Sequence, residues 1–265
     1  MSHVRLAASG EPHFVPPSPA DFQLPPIFGH SELFTKLFFL LVLGGLLVVW
    51  FFVATSRKAA VVPSRLQFAG EMAYNFTRNS IARDIIGSHD FMRFVPYLTA
   101  LFFFLLVNNY FALVPFIQFP TLSLIGFVYA LGAISWFTYN IIGMRKHGFV
   151  GYFKHQSVPP GVKGPVLLLI VPLEFMSNIL VRPVTLSLRL WANLFAGHLL
   201  LLLFALGGEY LILESGNAAF VPVGFLSLLL GFLVSLLEIL VLALQAYVFT
   251  LLTAMYISGA IAEEH

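Results

Sequence analysis

The chain has 265 residues, 59% of them hydrophobic and 10% charged, with 29 phenylalanines and a mean hydropathy of +0.91. So few charges cannot clothe a soluble domain of this length, and the long apolar stretches between them mark a polytopic membrane protein. The formal net charge of +2 excludes nothing, because in a membrane protein the placement of Lys and Arg carries the information; the lack of cysteine excludes a disulfide framework and thiolate chemistry.

Residues 1–30 form a Pro-rich extramembrane arm (Pro12, Pro16, Pro17, Pro19, Pro25, Pro26) without the apolar core of a signal peptide, so the first membrane segment directs insertion itself. Residues 31–265 read as a single membrane-embedded domain. A hydrocarbon core of about 30 Å takes about 20 apolar residues of helix. Leu33–Thr55 meets that, ending at Arg57 and Lys58. Residues 61–93 mix Arg65, Glu71, Arg78, Arg83 and Asp84 with Phe, Met and Ile, which predicts an amphipathic helix along the membrane surface. Spans follow at 94–119 and 122–142, then a loop carrying Arg145, Lys146, Lys154 and Lys163. Residues 166–206 and 221–261 are apolar throughout and flank an acidic loop with Glu209 and Glu214.

The two basic stretches, 57–93 and 143–164, belong on the cytoplasmic side or its equivalent. An outside N-terminus, five crossings and an inside C-terminus satisfy that, and put the acidic loop outside. The last two segments would each span roughly 60 Å as single helices, twice the hydrocarbon thickness. Neither offers a polar turn, so each is expected to be one steeply tilted helix. The fold class expected is all-α, polytopic, with about five membrane-crossing helices, an amphipathic surface helix and a long tilted hairpin at the end.

Within 166–206 a polar line runs through Glu174, Asn178, Arg182, Thr185, Arg189 and Asn193, spaced 4, 4, 3, 4 and 4. At 100° per residue these share a stripe of roughly 100° on one face, with His198 opposite. In the last segment Gly224, Ser227, Gly231, Ser235, Glu238 and Gln245 share a face, with Tyr256 further along it. The small residues Ser227, Gly231 and Ser235 permit close approach of another helix. Arg182, beside Pro183, suits snorkelling. Arg189 and Glu238 lie too deep for that, and a central membrane arginine costs at least ~2.5 kcal/mol, which favours function over structure. Arginine stays charged and shuttles no proton, whereas Glu and His load and release protons. A fixed Arg between Glu and His on separate access routes is the chemistry of a gated proton path.

The segment "RPVTLSLRLWANLFAGH", Arg182 to His198, resembles the hallmark of the a subunit (subunit 6) of the rotary F-type ATP synthase, in its membrane (Fo) sector. "NNYFALVPF" and "LLEILVLALQAYVFTLLTAMYIS" are similar to two further segments of that family. The resemblance implies that Arg189 is the essential arginine facing a ring of c subunits, with Asn193 one turn on. Glu238 and Gln245 match the polar pair of the last helix, His198 and Glu238 look like a swapped carboxylate–histidine pair, and Glu174 resembles an acidic residue of the other route. His198, Glu238 and Gln245 are assigned to an outside half-channel, Glu174 and Asn178 to an inside one. Arg182, Thr185, Ser227, Gly231 and Ser235 are assigned to the ring-facing surface. Ala112 stands where many bacterial relatives carry an aspartate.

The implied partners are the c-subunit ring, b-type peripheral stalk subunits, the remaining ATP synthase subunits and membrane lipid, with no nucleic acid, cofactor or metal. The implied role is non-catalytic, in a bacterial plasma membrane, with a mitochondrial inner membrane as the alternative. The chain has no P-loop and no H-E-x-x-H signature, and its arm histidines His3, His13 and His30 are irregularly spaced. "NFT" at Asn75 fits a glycosylation pattern but falls on the expected inside face. Rival readings are a secondary transporter, which often shows two interrupted repeat halves; a membrane-embedded enzyme, which needs a nucleophile near a base; and a scaffold.

Overall fold

The computed structural model describes residues 4–6, 12–14, 16–17, 36–57, 60–114, 121–157, 167–216 and 218–262. Most of the Pro-rich arm, Pro115 and Lys163 lie outside these residues. Two short strands in the arm, β1 (Val4–Leu6) and β2 (Pro12–Phe14), pair antiparallel with Arg5 opposite His13. Otherwise the regular structure of the described residues is helical.

Among the described residues, five helices are long and apolar enough to cross a membrane: Lys36–Ser56, Val95–Leu113, Ile125–His147, Leu169–Leu213 and Val221–Ile261. Within them, α1 is Lys36–Ser56, α4 Val95–Tyr110, α5 Ile125–His147, α8 Arg182–Leu213 and α9 Val221–Ile261. The last two spans hold 45 and 41 residues, about 60–70 Å each at the α-helical rise. Both are hydrophobic along their length, so inclination is what fits them to a hydrocarbon core of about 30 Å.

The stretch 61–93 is not one helix. Ser64 caps α2 (Arg65–Phe76), accepting from the Gln67 amide at 3.3 Å. A π-helical segment, Thr77–Arg83, and one turn, α3 (Asp84–Ile86), come next, and the helix stops where Gly87 takes φ +93°. The fully buried Thr77, Ile81 and Ala82 face the protein, while Phe68, Met72 and Phe76 stay exposed. The segment is thus half packed against the bundle rather than lying free on a surface. Gly70 lets it seat on α1, since a Cβ there would overlap Thr55.

The basic loop 143–164 also differs from the expectation. α5 continues to His147, and after Gly148 (φ +73°) the chain forms α6, Phe149–Ser157. Likewise the helix predicted to end at 206 runs on to Leu213, so Glu209 is helical. Gly207 and Gly208 do not break it; Gly208 lies where the hairpin crosses, and a Cβ there would sit 2.8 Å from Leu228 and 3.1 Å from the Gly224 carbonyl.

The core surrounds the C-terminal half of α9, whose Leu242, Ala246, Phe249 and Ile257 are fully buried. Polar side chains dock neighbouring helices onto it. Asn109 Nδ2 donates to the Leu242 carbonyl at 3.1 Å, and Tyr110 OH to the Ile239 carbonyl at 3.2 Å. Lys146 Nζ donates to the Ile261 carbonyl at 2.8 Å, which puts the ends of α5 and α9 on one side. The N-terminal half of α9 leans chiefly on α8 and leaves Phe225, Leu229, Phe232, Leu236 and Leu240 exposed.

Candidate functional site

The polar line predicted along 174–193 assumes an unbroken α-helix. The structure instead places a π-turn, Ser177–Val181, between α7 (Leu167–Met176) and α8, marked by the Arg182 amide bonding back five residues to the Ser177 carbonyl. One extra residue in the turn rotates the downstream helix by roughly 100° relative to the upstream one. With that turn Asn178 lies roughly 80° around the helix from Arg189 instead of roughly 20°, while Glu174 lies roughly 40° from it instead of roughly 60°. Asn178 is buried, its Nδ2 donating to the Gln156 carbonyl of α6 at 2.7 Å, and Glu174 is half-buried.

Past the turn, α8 sorts its faces cleanly. Leu186, Ser187, Leu190, Leu194 and His198 are buried against the bundle. Ser187 is held so close to α5 that a Cβ on Gly132 would overlap its hydroxyl. Trp191 donates to the Ser123 carbonyl at 2.8 Å, fixing the rotation of α8. Thr185 and Arg189 consequently point outward, and both are exposed. Arg189 stands near the middle of the 45-residue span, roughly 30 Å or more along the helix from either end.

Arg182, assigned above to the same outward surface, is turned inward: its guanidinium lies 5.1 Å from the Tyr256 ring centroid. That face-on contact holds the charge at the end of α9 where its hydration is reduced. Ser227 and Gly231 are likewise turned toward α8. Ser227 donates to the Phe204 carbonyl at 2.9 Å, and a Cβ on Gly231 would come within 3.1 Å of Phe204 Cβ. The small-residue line is the α8–α9 packing seam. Ser235, half-buried, bonds within its own helix to the Phe232 carbonyl.

In that seam lies Glu238, 6% exposed. Gly197 makes the room: an ideal Cβ there would be 2.9 Å from Glu238 Oε1. His198, 7% exposed, is the next residue on α8, so the structure brings the imidazole's helix position alongside the carboxylate. Asn193 Nδ2, both Glu238 oxygens and Gln245 Nε2 are buried without a hydrogen-bond partner among the described residues. An unsatisfied polar group in hydrocarbon costs several kcal/mol, so side chains left in this state point to a place that handles polar species. Among the described residues no three metal-ligating side chains come together.

Ala112 is nearly buried at 9% exposure, in the single turn after α4. The polar contacts near Glu238 on this side come instead from Asn109 and Tyr110, which dock on the turn that carries it. Sequence reading passes over these two, and over Trp136, Asn140, Tyr152 and Gln156. Their signal is nonetheless present: Trp136–Asn140 and Tyr152–Gln156 are each polar pairs four apart, on one helix face.

A family model described as ATP synthase A chain matches residues 37–258. A protein named ATP synthase subunit a from a Nocardioides species is 58% identical, over 95% of each chain. Proteins of the same name from Pseudarthrobacter chlorophenolicus and Streptomyces lividans are 44% and 40% identical, covering 100% and 94% of this chain and 100% and 89% of their own. The matched region contains all five membrane-length helices but the first residue of α1 and the last three of α9, and it contains Arg189, Glu238 and their neighbours. This multi-pass membrane chain belongs to the ATP synthase A chain family.

Proposed function

We propose that this chain is the proton-conducting stator subunit of a rotary ATP synthase, with two offset half-channels that meet the carboxylates of a c-subunit ring and Arg189 between them. The observation that carries the reading is the opposed placement of its two central charges. Arg189 is exposed at mid-helix on the outward face, whereas Glu238 is buried in the seam behind it. A guanidinium facing hydrocarbon at that depth costs about 2.5–3.5 kcal/mol on insertion scales and more on others. An opposing carboxylate on a neighbouring subunit removes that cost, and arginine suits the role because it never deprotonates.

The outside route uses His198, Glu238 and Gln245, with the Glu238 carboxylate seated against Gly197, next to His198 on α8. The inside route uses Glu174, before the π-turn, with Asn178 one turn on within it. A proton arriving from outside neutralises a ring carboxylate, which then tolerates a lipid environment. After nearly a full rotation it reaches the inside route and ionises. The bare carboxylate passes Arg189, whose fixed charge makes the ionised state tolerable and repels a hydrated proton from crossing directly. Each charge moved through the field is worth ~2.3 kcal/mol per 100 mV, and that energy turns the ring.

The subunit itself is non-catalytic in this reading, and ATP chemistry resides on partner subunits. Peripheral-stalk subunits of the b type and the ring are its membrane partners, and a bacterial plasma membrane fits the bacterial relatives. The basic residues Arg65, Arg78, Arg83, Arg145 and Lys146 put the α1, α5 and α9 ends inside, hence the N-terminus outside. The deciding experiment is ATP-driven acidification of vesicles carrying Arg189→Ala, with assembly checked by co-purification. Assembly with loss of pumping is expected; pumping at the wild-type rate would sink the reading.

A further inference from the structure

Around the π-turn at Ser177–Val181 the side chains of three helices close into a ring of hydrogen bonds. Pro183 has no N–H to give the carbonyl four residues back, and that carbonyl belongs to Ile179. Trp136 of α5 supplies the missing donor, its Nε1 reaching Ile179 O at 2.9 Å. One turn along α5, Asn140 Nδ2 donates to the Trp136 carbonyl at 2.7 Å. Asn140 Oδ1 accepts from Tyr152 OH of α6 at 3.0 Å. Tyr152 OH in turn accepts from Gln156 Nε2 at 3.1 Å, and the Gln156 carbonyl takes Asn178 Nδ2 at 2.7 Å. The ring thus begins at Ile179 and ends at Asn178, adjacent residues of the π-turn.

Asn140, Tyr152, Gln156 and Asn178 are 6%, 1%, 7% and 6% exposed. The α6 helix is held there by shape as well, because a Cβ on Gly143 would overlap the Tyr152 ring. Burial pushes the Tyr152 hydroxyl above its usual pKa, so it remains a donor to Asn140. A closed ring with every member bonded is worth more than its separate pairs, since breaking one link strands buried groups on both sides.

We propose that this ring, with Tyr152 as its keystone and α6 as its support, is a positioning device: it holds the π-turn and so sets the rotational phase of Arg189 relative to Glu174. If the turn relaxes to an α-turn, the helix beyond it rotates by roughly 100° and Arg189 leaves the outward face. Trp136, Asn140, Tyr152 and Gln156 touch no proton in this scheme; they act through the backbone they hold. The consequence for pumping rests on the reading of Arg189 above, but the geometric claim does not.

The chain has no cysteine, so paired spin labels can be placed on it in a complex whose partner subunits have been made cysteine-free. Leu173 and Leu188, both exposed, bracket the turn. Tyr152→Phe keeps the ring in its Gly143 seat and removes one oxygen. The expected result is a shift of several ångström in the Leu173–Leu188 label distance and a several-fold loss of ATP-driven acidification in the unlabelled variant, with assembly retained. Trp136→Phe, which removes the other end of the ring, should do the same, and it decides the matter if Tyr152→Phe fails to assemble. Unchanged distances in both variants overturn the geometric claim, and a shifted distance with normal pumping overturns the claim that the phase of Arg189 governs pumping. Normal pumping by Arg189→Ala together with shifted label distances would remove the functional reading alone, so the two failures are distinguishable.

Discussion

Replacing Gly197 by alanine adds one methyl group to the seam where Glu238 lies. The ideal Cβ stands 2.9 Å from Glu238 Oε1 and 3.3 Å from its Cδ, against ordinary contact beginning near 3.4 Å. The carboxylate must therefore retreat by about half an ångström, and because it ends a flexible side chain the overpacking cost falls near the lower end of about 1–3 kcal/mol. Alanine recovers about 0.8–1 kcal/mol over glycine in a helix interior. The two nearly cancel, so the subunit should assemble normally. Function is less tolerant: a misplacement of about 1 Å can cost a hundredfold, so half of that should cost about tenfold. The assay is initial-rate acidification of inverted vesicles, normalised to the amount of complex recovered. Glu238→Asp in the same background shortens the side chain by one methylene and should restore part of the loss, giving a coupling in the double-mutant cycle. Wild-type pumping by Gly197→Ala, or two losses that simply add, would refute the claim that Gly197 seats the carboxylate.

Two further outcomes are expected. Single cysteines at Leu213 and Val150, both exposed, should react with an impermeant thiol reagent from opposite sides, Leu213 from outside and Val150 only when the cytoplasmic face is open; the reverse pattern would invert the orientation. Asn109→Ala removes the bond to the Leu242 carbonyl and should destabilise the α4–α9 contact by about 0.6–1.7 kcal/mol. Denaturant titration of the detergent-solubilised complex reads that out, and no change would mean the bond contributes nothing to holding the two helices.

The membrane class, the five spans and the depth of Arg189 were legible in the sequence because hydropathy over about 20 residues and the length of an apolar run are local properties. The polar spacings around Arg189 and Glu238 were legible for the same reason, being one-dimensional distances along helices. The directions in which those side chains point were not. Asn178 and Arg189 share a stripe only if every turn between them is α-helical, and the π-turn at Ser177–Val181 is held by Trp136 and Gln156, residues 43 and 22 positions away from their partners. Ser227 and Gly231 look like an open small-residue surface until α8 is laid against them, and Arg182 looks like an interfacial cation until Tyr256 arrives beneath it. A helix's period is written in its own sequence, but its rotational phase is chosen by packing with neighbours distant in the chain; that phase alone decided which charges face outward and which are enclosed.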